Sequence, residues 1–512
     1  MEAAPLPEAA TPLGVALDRL AEADPSATAL LCGTESLSWA KLASGSNRLA
    51  RRLAELGVGE GSLVTIALPN GLAFYEAVAA TWKLGAIPQP VSYRLPPGEL
   101  SSLLEVADPA VVIGLDPGRD RPWLPAGYQP PPSLPDDPLP PWVPPSWKAP
   151  TSGGSTGRPK LILSTTPGTL ETVTAGAPML RLGRGEVFLC TGPLYHNGPF
   201  MFSLMALLLG GTVVVMPRFD AAACLELVEA HRVTWLYLVP TMMHRILRLP
   251  DPERLARDMS SVRTAYHLGA PCPPHVKAAW IDWLGPEKIM ELYAGTEGQA
   301  VTVIGGTEWL AHPGSVGRVV AGEMRVESPD GAILGPGYTG EIWMRPAPGH
   351  LTYRYVGASA RSHDGWESLG DMGYFDEDGY VYLADRQADM ILVGGANVYP
   401  AEIEAALEEH PAVLSSCVVG LPDEEYGSVV HAIVETASAV SDQELRDHLS
   451  SRLVAYKIPR DFERSATPLR DDAGKVRRSA LRAERLTSET LTRGRPGPPS
   501  PAPAVPAAGE PR

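Results

Sequence analysis

The sequence predicts an α/β protein: a large N-terminal domain with mostly parallel sheets, followed by a small α+β domain. Three observations carry that expectation. Short apolar runs alternate with segments of helical periodicity through residue 386, the pattern then changes to a compact mixture of helix and strand, and the chain ends in a Pro/Ala/Gly-rich stretch.

Early in the chain LVTIAL, Leu63 to Leu68, reads as a buried strand, and behind it Phe74, Tyr75, Val78 and Trp82 recur at helical spacing. Between Pro122 and Pro150, twelve of 29 residues are proline, so this stretch is neither regular helix nor central strand. It reads as a stiff connector over the surface, leading into TSGGSTGRPK, Thr151 to Lys160. The strand–helix pattern returns with GTVVVM (Gly211 to Met216), a helical segment through Leu225, Val228 and Glu229, and the apolar run WLYLV (Trp235 to Val239). Such alternation implies a mostly parallel sheet covered on both faces.

The C-terminal domain opens with a helix from Pro400, acidic in its first turn, with Ile403, Ala406 and Leu407 on one side and an end before His410-Pro411. SSCVVGLPD then reads as strand and turn. A capping box, Ser441 to Glu444, starts a further helix carrying Leu445, His448, Leu449, Arg452 and Leu453. The expected domains are therefore 1–386 and 387–485, with a disordered tail over 486–512.

A chain of 512 residues, 44% hydrophobic, exceeds a single ordinary core. Its net charge of −16, from 43 basic and 59 acidic residues, argues against nucleic acid or an anionic membrane as the main partner. The five cysteines are scattered and form no CxxC or Cys/His cluster, which fits neither a disulfide framework nor zinc. With no apolar core near the N-terminus and no uninterrupted run of 18 apolar residues, the expectation is a soluble cytoplasmic protein.

The loop from Thr151 to Lys160 carries the first chemical signal. Glycines let backbone N–H groups converge, and Ser, Thr and Lys add donors, which suits a phosphate-like anion. On composition alone a flexible surface loop is the other reading. It is not a P-loop, because Pro159 precedes Lys160 and no Ser or Thr follows it. Downstream stand PLYHNGP (Pro193 to Pro199), HLGAP (His267 to Pro271), LYAGTE (Leu292 to Glu297), LGDMGYFDEDGYVYLADR (Leu369 to Arg386), GGANVYPAEIE (Gly394 to Glu404) and PLRDDAGKVRR (Pro468 to Arg478). In this order, from about residue 15 to 485, they resemble the adenylate-forming superfamily of acyl- and aryl-CoA synthetases, luciferases and peptide-synthetase adenylation domains.

The resemblance implies stacked α/β subdomains in the large domain, a mobile C-terminal domain, and an ATP site. Ser155, Thr156, Gly157 and Lys160 would embrace the β- and γ-phosphates, with Thr151, Ser152, Gly153 and Gly154 in the same ATP-binding loop. Gly269, Ala270 and Pro271 would line the base pocket, Tyr293 would stack on adenine beside Ala294 and Gly295, Asp371 would accept the ribose hydroxyls, and Arg386 would touch ribose and phosphate. For catalysis it implies Lys475 bridging carboxylate and α-phosphate, Thr296 on the α-phosphate, Glu297 holding Mg2+, and His196 beside the acid. Tyr195, His196, Asn197 and Gly198 would form the acyl pocket, Gly394 and Gly395 the thiol side, and Ala388 the hinge. Taken singly these residues have duller readings: a core aromatic, a turn aspartate, solvated charges.

The chain departs from the family pattern at Gly153, Leu161 and Ala294, and at Ala388, where many members carry Asp or Lys. The implied activity is an ATP- and Mg2+-dependent acid:CoA ligase. YHNGPFMF holds no carboxylate to pair an amino-acid ammonium, so an uncharged, apolar acid is expected, as for bacterial fatty-acid, aromatic-acid or bile-acid CoA ligases. An acyl carrier protein in place of CoA, or a non-catalytic adenylate-binding protein, are the alternatives, and monomer and homodimer stay equally open.

Overall fold

A computed structural model describes residues 10–118, 121–153, 159–393, 396–423, 426–472 and 474–493. Contacts divide the chain into two units: Met1–Gln387 with Asp471–Lys475, and Ala388–Arg470 with Val476–Arg512.

In the first unit a four-stranded parallel sheet runs Ile87–Pro90, Leu63–Ile66, Val111–Gly114, Trp123–Pro125. The proline-rich connector thus supplies one strand only, at the sheet edge, where a missing N–H breaks no ladder. The helix Leu72–Lys83 buries Phe74, Tyr75, Val78 and Trp82. Its last residue, Lys83, is also buried, with its ammonium held by Asp18 and Asn47.

The largest sheet contains six consecutive parallel strands, in the order Thr28–Cys32, Thr212–Val215, Val187–Cys190, Trp235–Leu238, Thr264–Leu268, Ile289–Ala294. Parallel strands end on the same edge, so the segments after Cys190, Leu238, Leu268 and Ala294 line up there, where open α/β sheets bind ligands. Three of those segments are the PLYHNGP, HLGAP and AGTE stretches.

Beyond Ala294 the same sheet continues antiparallel through Val301–Gly305, Ser315–Ala321, Val381–Arg386, Trp366–Phe375 and Gly340–Arg345. This extension sets Asp371 directly opposite Arg386. A small antiparallel sheet places Thr151–Gly153 against Pro159–Ser164, and the latter against Tyr353–Val356, so the glycine-rich loop joins two paired strands.

The second unit pairs Val413–Asp423 antiparallel with Gly427–Thr436, which runs parallel to Asp461–Arg464. Ile403, Leu407, Val418, Val430, Leu445 and Leu449 form its core. The helix Pro400–Glu408 and the capping box of Ser441 and Glu444 form as expected. LPD does not turn but continues the strand to Asp423. The tail boundary is also corrected: a helix spans Arg478–Arg493, eight residues into the stretch expected to be disordered from 486. Leu481 and Leu486 pack on Cys417, Val419 and Leu421, and Arg485 bonds Glu463 at 2.5 Å, which is why the helix persists. Residues 494–512 lie outside the described residues. No described helix is long and apolar enough to cross a membrane.

Candidate active site

The phosphate side forms around Glu297, in the turn after Ile289–Ala294. Its carboxylate is 7% exposed, accepts the Tyr355 hydroxyl at 2.5 Å, and lies 3.7 Å from the Lys160 ammonium. Lys160 Nζ also sits 3.8 Å from the centre of the Tyr355 ring. Burial, then the neighbouring carboxylate, raises the Tyr355 pKa, so its hydroxyl stays a donor. A Cβ on Gly295 would stand 2.3 Å from Leu369 and 2.9 Å from Glu297 Oε2, so only glycine leaves that carboxylate its place. Thr296 lies between the two. Thr151, Ser152 and Gly153 lie on the strand paired with Pro159–Ser164, and Gly154, Ser155, Thr156 and Gly157 fall outside the described residues.

On the nucleoside side, Tyr293 donates to Asp371 at 2.8 Å, and Arg386 Nε lies 3.4 Å from the other oxygen of the same carboxylate. Burial and then Asp371 push the Tyr293 pKa well up. Gly269, at φ +88, turns the chain out of Thr264–Leu268 into Ala270 and Pro271.

The segment leading to Tyr195 is fixed by a residue the sequence reading passed over. Asn70 donates to the carbonyls of Gly192 and Met216, both at 2.9 Å, and accepts the Leu194 N–H at 2.8 Å, pinning the segment that leads to Tyr195. Tyr237 closes on its far side: a Cβ on Gly198 would stand 2.6 Å from the Tyr237 hydroxyl. His196 is the N-cap of the helix Asn197–Leu208 and gives it no side-chain cap. Its Nε2 is buried without a partner, and burial, then the charge of Lys475, lowers its pKa to about 3. His196 is therefore a neutral imidazole at physiological pH.

Lys475 belongs by its contacts to the first unit. The turn Asp471–Lys475 is closed by Asp471 N–H to Lys475 O and Lys475 N–H to Asp471 Oδ1, both 2.9 Å. Desolvation chiefly lowers the Lys475 pKa, with Asp471 opposing and Arg386 adding to it. Gly394 and Gly395 fall outside the described residues, and Ala388 is the first residue of the second unit.

Lys148 was not anticipated. It lies in the connector, 6% exposed, and its ammonium donates to Asn197 Oδ1. Burial pulls its pKa down to about 7 against the opposing pull of Glu297. Its only sequence signal is a lone lysine between Trp147 and Ala149. Tyr353 and Tyr355 could have been found from YRYV, since residues two apart on a strand share a face.

Lys160 thus stands beside one buried carboxylate, Glu297, an arrangement that suits a polyanionic reactant. It also suits Mg2+, which keeps waters and phosphate oxygens and asks the protein for one or two hard carboxylates. Among the described residues no cluster of three or more His, Cys, Asp or Glu could cage a metal without phosphates.

Fold and site together define an adenylate-forming ligase. The chain belongs to the AMP-binding enzyme family, which it matches over residues 17–140 and 149–355, with that family's C-terminal domain over 402–469. It is an acid–thiol ligase working through an acyl-adenylate, with ATP and Mg2+. A sulfoacetate–CoA ligase of Cupriavidus necator is 31% identical over 473 residues, 87% of this chain and 92% of that protein. A fatty acid–[acyl-carrier-protein] ligase of Streptomyces coeruleorubidus is 30% identical over 507 residues, 90% of this chain and 94% of that protein. The o-succinylbenzoate CoA synthetase of Bacillus subtilis, solved with its acyl-adenylate, superposes with a TM-score of 0.80 at 26% identity, covering 93% of this chain and 98% of that one.

Proposed function

We propose that the enzyme activates a carboxylic acid with a largely apolar body and passes it to CoA in the cytoplasm. The observation that carries this reading is the pairing of Lys160, from the small sheet, with Glu297, 3.7 Å apart, Glu297 following the large-sheet strand that ends at Ala294 beside the HLGAP segment. In the first half-reaction a carboxylate oxygen attacks the α-phosphorus of ATP and the bond to the leaving pyrophosphate breaks. Lys160 and the glycine-rich loop hold the β- and γ-phosphates, Thr296 the α-phosphate, and Lys475 offsets charge as it develops between carboxylate and phosphorus. Glu297 would hold Mg2+, which supplies charge neutralisation on the triphosphate. Tyr293 and Asp371, already bonded to each other, present a ring face and a carboxylate to adenine and ribose, with Gly269, Ala270 and Pro271 beside the base and Arg386 on the ribose side. Neutral His196 contributes a hydrogen bond without competing for protons.

In the second half-reaction a thiol sulfur attacks the acyl carbon, AMP leaves, and the thiol proton is lost. Gly394 and Gly395 would border the thiol's path. The stretch Tyr195 to Gly198 carries no carboxylate and the Tyr237 ring closes on Gly198, which favours an acid with an apolar body. The carrier-protein reading stands beside CoA because a carrier-protein ligase is among the relatives. Acid-dependent pyrophosphate release across a panel of acids, first without an acceptor and then with CoA or carrier protein, tests the reading. Thioester formed with CoA supports it; no pyrophosphate with any acid overturns it.

A further inference from the structure

Of the buried lysines that neither half-reaction uses, Lys83 and Lys277 are paired with carboxylates and Lys148 is not. Lys160 is committed to phosphate and Lys475 to the reacting carboxylate, but Lys148 has no part in either step. Its ammonium donates to Asn197 Oδ1, touches Met201 Sδ at 4.0 Å, and lies 4.9 Å from the Trp147 ring. No carboxylate lies within ion-pair distance of it among the described residues, and Glu297 acts on it only from farther away. An ammonium has three donors, and burying it with one good acceptor is costly unless an anion completes the set.

Two neighbours share that want. The helix Asn197–Leu208 starts at the same place with no side-chain cap, so its first N–H groups present partial positive charge. The buried Nε2 of His196, at the same helix end, has no hydrogen-bond partner among the described residues either. Ammonium, helix end and imidazole therefore meet at one place, and among the described residues no carboxylate stands within ion-pair distance of the ammonium.

We propose that Lys148 and the N-terminus of the Asn197–Leu208 helix form a subsite for a second anionic oxygen group, a carboxylate or sulfonate carried on the body of the acid substrate. The inference rests on the acid-ligase reading and narrows its substrate class: an apolar body with a second anion replaces the uncharged acid expected from YHNGPFMF. The charge count favours a second group over the reacting carboxylate, which has Lys475 beside His196.

The test uses the full-length enzyme with acids in matched pairs: butyrate with succinate, hexanoate with adipate, propionate with 3-sulfopropionate, benzoate with terephthalate. The readout is the ratio of kcat/KM, from pyrophosphate release, for the dianionic over the monoanionic member. The wild type is expected to favour the dianion at least tenfold in one pair, Lys148→Met to erase that preference at least tenfold, and Lys148→Arg to restore part of it. Should Lys148→Met not fold, as melting would show, Asn197→Asp places a carboxylate beside the ammonium and should erase the preference too. A wild type that favours monoanions in every pair, or variants that lower both members equally, overturns the subsite while leaving the ligase reading intact. No pyrophosphate with any acid overturns both.

Discussion

Glu76 shows how a single side chain can couple burial to pH far from the chemistry. It lies on the helix Leu72–Lys83, facing Gly45, where a Cβ would come within 2.1 Å of its Oε1. Burial raises its pKa to about 7 from 4.5. A carboxyl whose folded pKa exceeds its unfolded one contributes its full stability below about pH 4.5 and loses it as pH rises through 7. Glu76→Gln should therefore leave Tm nearly unchanged at pH 5 and raise it at pH 8, by up to ~3 kcal/mol of unfolding free energy. An equal effect at both pH values, followed by thermal melting, would refute a titrating Glu76. Lys475→Ala tests the catalytic assignment: pyrophosphate exchange should fall on the order of 100-fold or more, while thioester formation from supplied acyl-adenylate stays within about fivefold. Equal losses in both half-reactions would contradict a lysine acting only on the first.

At the scale of elements, the last helix corrects the boundary of the folded chain and changes what truncation should do. Arg485 bonds Glu463 and Leu486 covers Cys417, Val419 and Leu421, so removal of residues 486–512 should lower Tm by several degrees, whereas removal of 494–512 should not. Scanning calorimetry of the two truncations decides it, and identical melting would show that the helix end is dispensable. The sequence read well where local signals were strong. The capping box at Ser441, the Pro400 helix start and the apolar runs Thr212–Val215 and Trp235–Leu238 each carry their structure within a few residues. The antiparallel strands between Val301 and Arg386 were not resolved, because their half-exposed alternation resembles loop and their pairing is set across long sequence distances. The helix end at Arg493 was missed for a related reason: few apolar residues hold it. In the site, order of motifs located Tyr293, Asp371 and Arg386, whose contact the structure then supplied. Lys148 and Asn70 were illegible, since each acts through partners distant in sequence and repeats no pattern.

At the scale of the whole molecule the open question is how one site serves two reactions. One carbonyl carbon cannot face both Lys475 and an incoming thiol, so Lys475 must withdraw between the half-reactions. The division between the two units falls between Gln387 and Ala388, and Gln387 is anchored to the first by its N–H on Gly370 O at 2.8 Å. Torsion changes that free Lys475 are therefore expected just after that anchor, at Ala388 and Asp389. Ala388 suits this, having a small side chain with no charge to satisfy, where many family members have Asp or Lys. Proline there would fix φ near −65° and restrict Gln387 as well, trapping one arrangement. The expected outcome for Ala388→Pro is acid-dependent pyrophosphate exchange close to wild type, with thioester formation slowed at least about tenfold, or about 1.4 kcal/mol of barrier. The two rates should be measured on the same preparation, with melting temperature confirming that the variant is folded. Thioester formation at the wild-type rate in a folded Ala388→Pro enzyme would mean that the chain does not turn at this residue, and that Lys475 leaves the acyl carbon by movement of its own short loop.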